Sequence, residues 1–283
     1  MAICILTDSL TQYPFIRFAG MNKVQTIEHH LTFKGQTINR NSELKLQQLP
    51  QTATAEHTPK VQAPSVADFQ QTIATLLGRY DEILLLMTSS AISPAYSNAL
   101  EVINNMDGGG RIVAIDTNTI SVGVGVLVSY VARLIDENRD IQEVAQSVRS
   151  YQQHIYTLFN TPNLSYLYHN QLLDAGQAYV GEYLQSAPNF TIEDGRFFST
   201  DKMRNKRHIT DYLLEYTKEF EAIESMAFLH GNELSTQTSR LIREHVKEAY
   251  PEALFSEHRI SLPLALLFGP QCQGVIVVDT ESF

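Results

Sequence analysis

The segment MTSSAISPAYSNA, residues 87–99, contains the residues best placed to hold an anion. Ser93 precedes a proline, which restricts it to the extended angles of a helix N-cap, and Pro94 suits the first helical position. A helix N-terminus carries free N–H groups and a partial positive charge, so a carboxylate or phosphate could bind there beside the hydroxyls of Ser89, Ser90 and Ser93. Ser93 could equally act as a cap alone, and both interpretations remain open.

Polar residues follow predicted elements at three other places. Thr7-Asp8-Ser9 comes after the first apolar run, Asp116–Thr119 follows a second, and Phe268–Cys272 forms a turn late in the chain. Open α/β sheets bind ligands beyond the carboxyl ends of their strands. These three places are therefore candidate ligand sites as well.

The motifs of common enzymes are missing from the sequence. The residue types of a serine hydrolase are present as Ser90, Asp8, Asp116, His230 and His258. No G-x-S-x-G, H-E-x-x-H, P-loop or dinucleotide glycine pattern accompanies them, so spacing defines no nucleophile and base. A hydrolase that uses Ser90 or Ser93 stays open as an alternative function.

Two other patterns have a structural interpretation. The pair His29-His30 lies in TIEHHLTF, whose alternation predicts a strand with one histidine outward rather than a metal site, because no third ligand is near. The glycines of MDGGG, residues 106–110, predict a helix C-cap and turn, because no helix follows them directly.

Composition excludes several classes of protein. The 283 residues include 21 Lys and Arg against 31 Asp and Glu, a net charge of −10, which argues against a nucleic-acid-binding surface. Two cysteines without metal-ligand spacing, Cys4 and Cys272, indicate a reducing compartment. The N-terminus lacks a signal-peptide pattern, and the apolar stretch Ile120–Leu134 is shorter than the ~20 residues of a membrane-spanning helix. We therefore expect a cytoplasmic protein without membrane insertion.

The first half of the chain alternates short apolar runs with helical periodicity, which is typical of a mainly parallel sheet flanked by helices. A polar stretch, Asn39–Gln62, reads as loop around a short helix near Ser42–Gln48. The predicted strands are Ala2–Leu6, Glu82–Met87 and Arg111–Ile115, and the predicted helices are Val66–Gly78, Pro94–Asn105, Ile120–Glu137 and Asp140–His154.

The second half mixes hairpins with helices, which predicts an α/β domain with a mixed sheet. We place the domain boundary at residues 155 and 156, giving domains 1–155 and 156–283. The predicted strands are Ile155–Phe159, Asn189–Ile192, Arg196–Ser199, Ser225–Leu229, Ala253–Phe255, Leu264–Leu267 and Val275–Val278. The predicted helices are Leu164–Leu173, Gln177–Gln185, Asn205–Glu219 and Ser235–Ala249.

Motifs in the same order and spacing resemble the DegV family of fatty-acid-binding proteins over nearly the whole chain. The motifs that resemble those of the family are ILTDS (5–9), APSVADF (63–69), YDEILLLMTSSAISPAY (80–96), AIDTNTISVGVG (114–125), LSYLYHNQLLDAGQAYVGEYLQSAP (164–188), DGRFFSTDKMRNK (194–206) and FGPQCQG (268–274).

The resemblance implies a two-domain DegV-like architecture, the EDD fold, that holds one long-chain fatty acid in a buried tunnel near the domain interface. It implies a carrier without a catalytic nucleophile or cofactor, and in some relatives the lipid-presenting subunit of a fatty-acid kinase. Mapped onto this sequence, the head-group residues are Ser89, Ser90, Ser93, Gln62, Gly269 and Pro270, and the neighbouring residues are Asp8, Ser9, Val61, Asp116 and Leu267.

Several positions depart from the family pattern. Val61 stands in place of a threonine, Leu267 in place of a histidine, and Pro94-Ala95 in place of Gly-Thr; the arginine of GGRI is lost in Asn170–Leu173. A buried carboxylate with too few donors is costly. A fatty acid with Gln62 as a compensating donor is the first expectation, an altered apolar ligand the second, and a scaffold without ligand the third.

A basic segment, KMRNKR at 202–207, precedes a predicted helix. In kinase-linked relatives this region faces the kinase, so the resemblance implies that Arg204 and Lys202 contact the partner or the phosphoryl group, which a guanidinium matches. A solvated helix start is the alternative.

Overall fold

The structure is a computed structural model that describes residues 2–39, 44–106, 109–162, 164–183, 187–193, 196–203, 208–232 and 236–280. The strands are β1 (Ile3–Asp8), β2 (Val24–Ile27), β3 (His30–Phe33), β4 (Gln36–Ile38), β5 (Pro59–Gln62), β6 (Glu82–Met87), β7 (Ile112–Asp116), β8 (Ile155–Asn160), β9 (Ala187–Glu193), β10 (Arg196–Met203), β11 (Ile223–His230), β12 (Leu254–Arg259) and β13 (Gln273–Asp279). The helices are α1 (Val66–Leu77), α2 (Ala95–Asn105), α3 (Val122–Asp136), α4 (Ile141–Tyr151), α5 (Leu164–His169), α6 (Ala175–Tyr183), α7 (His208–Thr217), α8 (Thr236–Ala249) and α9 (Leu262–Phe268).

The chain divides into two compact units that are discontinuous in sequence. The first unit contains residues 1–29, 62–153 and 193–196, and the second contains residues 30–61, 154–192 and 197–283. The chain passes from the first unit to the second between residues 153 and 154, close to the predicted boundary at residues 155 and 156. Residues 30–61, which the sequence analysis placed in the first domain, instead group with the second unit.

The first unit is built on a four-stranded parallel sheet in the order β2-β1-β6-β7. One face of β1 and β6 packs on α1 and α2 through a core that includes Leu6, Phe69, Leu85 and Ala99. Helices α3 and α4 contact β1, β6 and β7. Because all six residues of β1 are buried, its sequence is a continuous apolar run rather than an alternation.

The second unit contains a six-stranded mixed sheet in the order β10-β9-β8-β13-β11-β12 and a three-stranded sheet in the order β4-β3-β5. Strands β11 and β12 pair in parallel, whereas β13 runs antiparallel to both β11 and β8. Helices α7 and α8 pack on this sheet through a core that includes Leu213, Phe228, Ile242 and Val275. The predicted fold class, a mainly parallel sheet followed by a mixed one, is confirmed.

Most predicted elements are confirmed with bounds that shift by a few residues, and Glu82–Met87 agrees at both ends. The predicted strand Leu264–Leu267 is wrong, because these residues belong to α9. Ser261 adopts the extended angles of an N-cap and a proline occupies the first turn of α9. A short buried apolar run has the same pattern in a strand and in a helix, so periodicity does not distinguish them.

The segment between residues 24 and 62 also differs from its prediction. TIEHHLTF does not form one strand: β2 ends at Ile27 and β3 begins at His30, in a different sheet. The predicted loop at 39–62 contains β5, and the predicted helix near its start is a 3-10 turn, Leu46–Gln48. Ser42, at the start of that predicted helix, lies outside the described residues.

Candidate functional site

The carboxyl ends of β1, β6 and β7 meet at one edge of the parallel sheet. Strands β1 and β6 are neighbours, while the strands that follow them, β2 and β7, lie on opposite sides of that pair. Ligands in open α/β folds bind beside such a reversal of strand order. The loops that leave this edge, residues 9–13, 88–94 and 117–121, contain most of the predicted polar residues of the first unit.

Asp8 joins two of these loops at the strand ends. Its carboxylate is fully buried and accepts hydrogen bonds from the Thr88 N–H (2.7 Å), the Thr88 hydroxyl (2.9 Å) and the Leu10 N–H (3.0 Å). A charged acceptor with three donors is a strong local constraint. Asp8 therefore holds the loop after β1 against the loop after β6.

Ser93 lies at the start of α2, where the helix begins one residue later than predicted. Pro94 is the N-cap residue, and Ala95 is the first helical residue. The Ser93 hydroxyl still accepts a hydrogen bond from the Ala95 N–H at 3.3 Å, which is the contact expected of a capping serine. Only 4% of Ser93 is exposed, so its hydroxyl is held in a buried environment.

His29 links this serine to a second one after β1. Its Nε2 lies 2.9 Å from the Ser93 Oγ, and its Nδ1 lies 3.2 Å from the Ser9 Oγ. The backbone N–H of His29 also donates to the Ser9 Oγ at 2.9 Å, and 5% of His29 is exposed. This group was not predicted from the sequence, because the alternation in TIEHHLTF assigns His29 to a continuous strand.

Ser89 and Ser90 shape the loop between β6 and α2. Ser89 is fully buried; its N–H donates to the Thr119 carbonyl at 2.9 Å, and its own carbonyl accepts from the N–H groups of Ile92 and Ser93. Ser90 is exposed, and its N–H donates to the Asp116 carboxylate at 3.1 and 3.3 Å. Asp116 thus connects the loops after β6 and β7.

The loop after β7 packs closely on the loop after β1. Ser121 has a positive φ of 52° with ψ of −120°, and its hydroxyl donates to the Gln12 side chain at 3.1 Å. A Cβ on Gly125 would lie 2.0 Å from the Gln12 carbonyl oxygen, so this close approach requires glycine. The first unit therefore brings six predicted residues to one edge: Asp8, Ser9, Ser89, Ser90, Ser93 and Asp116.

The predicted turn Phe268–Cys272 and the Leu267 that precedes it belong to the second unit, where their contacts are mainly apolar or made by the backbone. Leu267 is 2% exposed and lies in α9, which ends at Phe268. Gly269 adopts φ of 92°, and a Cβ there would lie 3.3 Å from the Tyr166 ring. The Pro270 carbonyl accepts from the Asn232 N–H at 2.7 Å. These groups form backbone and apolar contacts within their own unit.

Val61 and Gln62 end β5. The Val61 N–H donates to the Asn170 side chain at 2.9 Å, and the Asn170 amide donates to the carbonyls of Tyr166 and Leu266. Asn170, at the altered GGRI position, therefore connects β5 to α5 and α9 within the second unit. Gln62 is exposed and is grouped with the first unit.

The two histidines considered for a hydrolase lie in the second unit. His230 Nε2 is 3.7 Å from a carboxylate oxygen of Glu257. Burial would raise the pKa of Glu257, but hydrogen bonds from Ser239 and Arg243 and the charge of Arg243 lower it below its usual value. Burial lowers the pKa of His258, and the nearby His230 adds to this effect. These side chains form a polar network on β11, β12 and α8.

The remaining candidates do not form a reactive or metal site in the described structure. Cys4 and Cys272 are free and buried, and burial raises the pKa of both thiols to about 12, so neither is a thiolate at neutral pH. Among the described residues, no group of three or more His, Cys, Asp or Glu side chains could hold a metal ion. Arg204 and the side chain of Lys202 lie outside the described residues.

Within the described part of the chain, no helix combines the length and the apolar character needed to cross a bilayer.

Comparison with known proteins places the chain in a family. The model of a family described as uncharacterised protein, DegV family, matches residues 2–280. A DegV domain-containing protein from Deinococcus radiodurans is 23% identical over 282 residues, which cover 97% of this chain and 98% of the relative.

Solved structures agree on the fold. A DegV family protein from Thermus thermophilus, described by its fatty-acid binding, superposes with a TM-score of 0.80 at 21% identity and covers 99% of this chain and 100% of its own. The fatty acid kinase B3 protein of Streptococcus pneumoniae, loaded with linoleic acid, has a TM-score of 0.80 at 19% identity with the same coverage. The family match and the shared architecture confirm the resemblance read from the motifs: this chain belongs to the DegV family.

Proposed function

We propose that this chain binds a long-chain fatty acid and holds its carboxylate at the polar edge of the first unit, with the Ser93 hydroxyl as the central donor. The observation that carries this proposal is the buried Ser93 at the N-terminus of α2, bonded to His29. A helix N-terminus favours an anion, and a hydroxyl in a buried environment donates a stronger hydrogen bond to it than one in water.

Structures of related proteins support a fatty acid as the ligand. The relatives described by their fatty-acid binding or their bound linoleic acid share the fold over the whole chain. We propose Ser89, Ser90, Gln62, Gly269 and Pro270 as further contacts of the head group, and Asp8, Ser9, Val61, Asp116 and Leu267 as its surroundings. Asp8 and Asp116 act on the loops, because their carboxylates accept hydrogen bonds from loop N–H groups.

The proposed role is that of a cytoplasmic carrier that presents the fatty acid to a kinase subunit. The relation to the kinase B3 protein supports such a partner. We propose that Arg204 and Lys202 contact it, because guanidinium and ammonium groups bind a phosphoryl group or an acidic surface. Reversing both charges with Arg204→Glu and Lys202→Glu should abolish binding to the kinase subunit and leave the bound lipid unchanged.

Lipid extraction and native mass spectrometry of protein purified from a bacterial host test the ligand. We expect one bound acyl chain per protein, and its loss or strong depletion in Ser93→Ala. The matched control is Ser147→Ala, since the Ser147 hydroxyl bonds the Glu143 carbonyl within α4. Wild-type protein free of lipid after incubation with palmitate and oleate would reject the proposal in favour of a scaffold without ligand, and a bound apolar molecule without a carboxylate would favour an altered ligand.

A serine hydrolase is the second candidate function, because His29 Nε2 lies within hydrogen-bond distance of the Ser93 hydroxyl, as in a base and nucleophile pair. A fluorophosphonate probe should leave wild-type Ser93 unlabelled if the chain is a carrier. Labelling that disappears in both Ser93→Ala and His29→Ala would favour the hydrolase.

A further inference from the structure

The imidazole of His29 bridges two serine hydroxyls that come from different loops. Ser9 follows β1 and Ser93 precedes α2, and each Oγ lies within hydrogen-bond distance of one ring nitrogen, at 3.2 Å for Nδ1 and 2.9 Å for Nε2. Each hydroxyl also accepts one backbone N–H, from His29 at Ser9 and from Ala95 at Ser93. The tautomer of the imidazole, that is, which ring nitrogen carries the proton, therefore decides where the proton of each hydroxyl points.

A hydroxyl has one proton and two acceptor lone pairs, and a neutral imidazole has one donor and one acceptor nitrogen. If Nε2 carries the proton, it fills the second lone pair of Ser93, and Ser9 donates its own proton to Nδ1. The Ser93 proton is then available to a ligand. If Nδ1 carries the proton, Ser93 donates to Nε2 and offers a ligand one lone pair instead.

The two arrangements each leave one hydroxyl proton outside the network, that of Ser93 in the first and that of Ser9 in the second. Ser93 is buried, and a buried donor without a partner is costly, so the first arrangement needs an acceptor beside Ser93. A bound carboxylate supplies that acceptor, and it has no proton to donate to the lone pair that the second arrangement offers. The carboxylate of the proposed ligand therefore favours the form with the proton on Nε2.

We propose that His29 is a positioning residue that makes Ser93 a hydrogen-bond donor, and that it thereby selects a ligand whose head group is an acceptor, a carboxylate, over an alcohol with the same chain. The inference rests on the proposed function, since it assigns Ser93 to the head group. It adds a residue that acts through Ser93 and a chemical basis for selectivity.

Competition of palmitate and hexadecanol against a fluorescent fatty acid tests this selectivity. We expect the wild type to prefer palmitate by roughly 10- to 100-fold, the range for a hydrogen bond to a charged group. His29→Leu and His29→Asn should lose most of this ratio, because a leucine has no donor and an asparagine amide reaches toward Ser9 but not Ser93. His29→Gln should restore much of it, because its amide nitrogen extends to the position of Nε2.

The variants separate this role from a structural one. If His29 merely supported the loop through Ser9, His29→Asn would retain the preference and His29→Gln would lose it, which would overturn the inference. An unchanged ratio in all three variants would overturn it as well, with fatty-acid binding intact. A wild type that binds neither palmitate nor oleate would instead reject the proposed function itself.

A measurement on the wild type keeps the inference testable if the variants fail to fold. The ¹⁵N chemical shifts of the His29 ring report which nitrogen carries the proton. We expect the proton on Nε2 in the lipid-bound protein, and a proton on Nδ1 alone would overturn the inference.

Discussion

The polar edge of the first unit and the turn at residues 268–272 of the second unit both coincide with motifs that resemble those of the DegV family, yet they are built from different groups. At the edge, the buried His29 and Ser93 form a hydrogen-bonded network with the half-buried Ser9. Beside the turn, Leu267 is buried in α9, and within the turn Gly269 packs near the Tyr166 ring. A histidine expected at the turn is thus absent from it, while a histidine not expected at the edge occupies it.

The two regions differ because their backbone groups find hydrogen-bond partners in different ways. At the edge, the ends of parallel strands leave N–H and C=O groups that need polar partners, and hydroxyl, imidazole and carboxylate groups occupy it. The turn satisfies its backbone through Asn232 and Ala265, so its side chains are free to become apolar. The polar side chains of this chain thus lie where the backbone itself requires polar partners.

The largest expected effect is on the polar edge. Asp8→Ala should reduce the free energy of unfolding by about 3 kcal/mol, because the buried donors of Thr88 and Leu10 lose their shared acceptor. Asp140→Ala is the control, since the exposed Asp140 caps α4 through one bond to the Gln142 N–H and should cost about 1 kcal/mol. Urea unfolding measures both, and equal losses would show that Asp8 is no more than an ordinary cap.

Gly269→Ala tests the turn. At φ of 92° and ψ of 151° the residue occupies a region that is essentially restricted to glycine, so the substitution should cost about 2 kcal/mol. Gly110→Ala is the control, because a Cβ at Gly110 meets no atom within 4 Å. Thermal unfolding of the two variants compares them. If Gly269→Ala were as stable as Gly110→Ala, the turn would tolerate a side chain at this position. That result would contradict the expectation that its backbone requires glycine.

A smaller effect concerns the charged network of the second unit, which contrasts with its apolar turn. Arg243 donates to the Glu257 carboxylate at 2.7 Å and helps to lower its pKa. Because the pKa of Glu257 is lowered in the folded state, its ionisation stabilises the protein at pH values above 4.5, the pKa of the unfolded state. This contribution is lost as the pH falls through the pKa of the folded state.

Arg243→Ala should therefore lower the free energy of unfolding by about 0.5 kcal/mol at neutral pH. The value is small because Arg243 is mostly exposed, and the difference from the wild type should disappear in acid. Arg240→Ala, which removes an exposed pair with Glu244, is the control. Urea unfolding from pH 7 down to about pH 3 follows the difference. A deficit that grows in acid would contradict the assigned direction.

The smallest expected effect is at Gln62. Its side chain is exposed at the end of β5, so Gln62→Ala should weaken fatty-acid retention by about twofold, as for one solvent-exposed hydrogen bond. Gln70→Ala on α1 is the matched control and should leave retention unchanged. Equal retention in the two variants would remove Gln62 from the head-group site and leave the polar edge without this compensating donor.

Local patterns predicted much of the fold. The strand Glu82–Met87 and the start of α2 followed from an apolar run and from the Ser-Pro step, which act on residues adjacent in the chain. The same patterns failed at Leu264–Leu267, where an apolar run is buried on all sides, and at TIEHHLTF, where the alternation crosses from one sheet to another. Local pattern does not report which sheet a residue joins.

The sequence by itself determined the family, most of the helices and strands, and the serines that precede α2. The tertiary structure alone decided that His29 belongs with those serines. The parallel register of β1 and β2 pairs Asp8 with Ile27 and so places Ser9 beside His29, and His29 then reaches Ser93, which is 64 residues away in sequence. Contacts over such separations depend on the packing of the whole sheet, because no interaction between neighbouring residues encodes them.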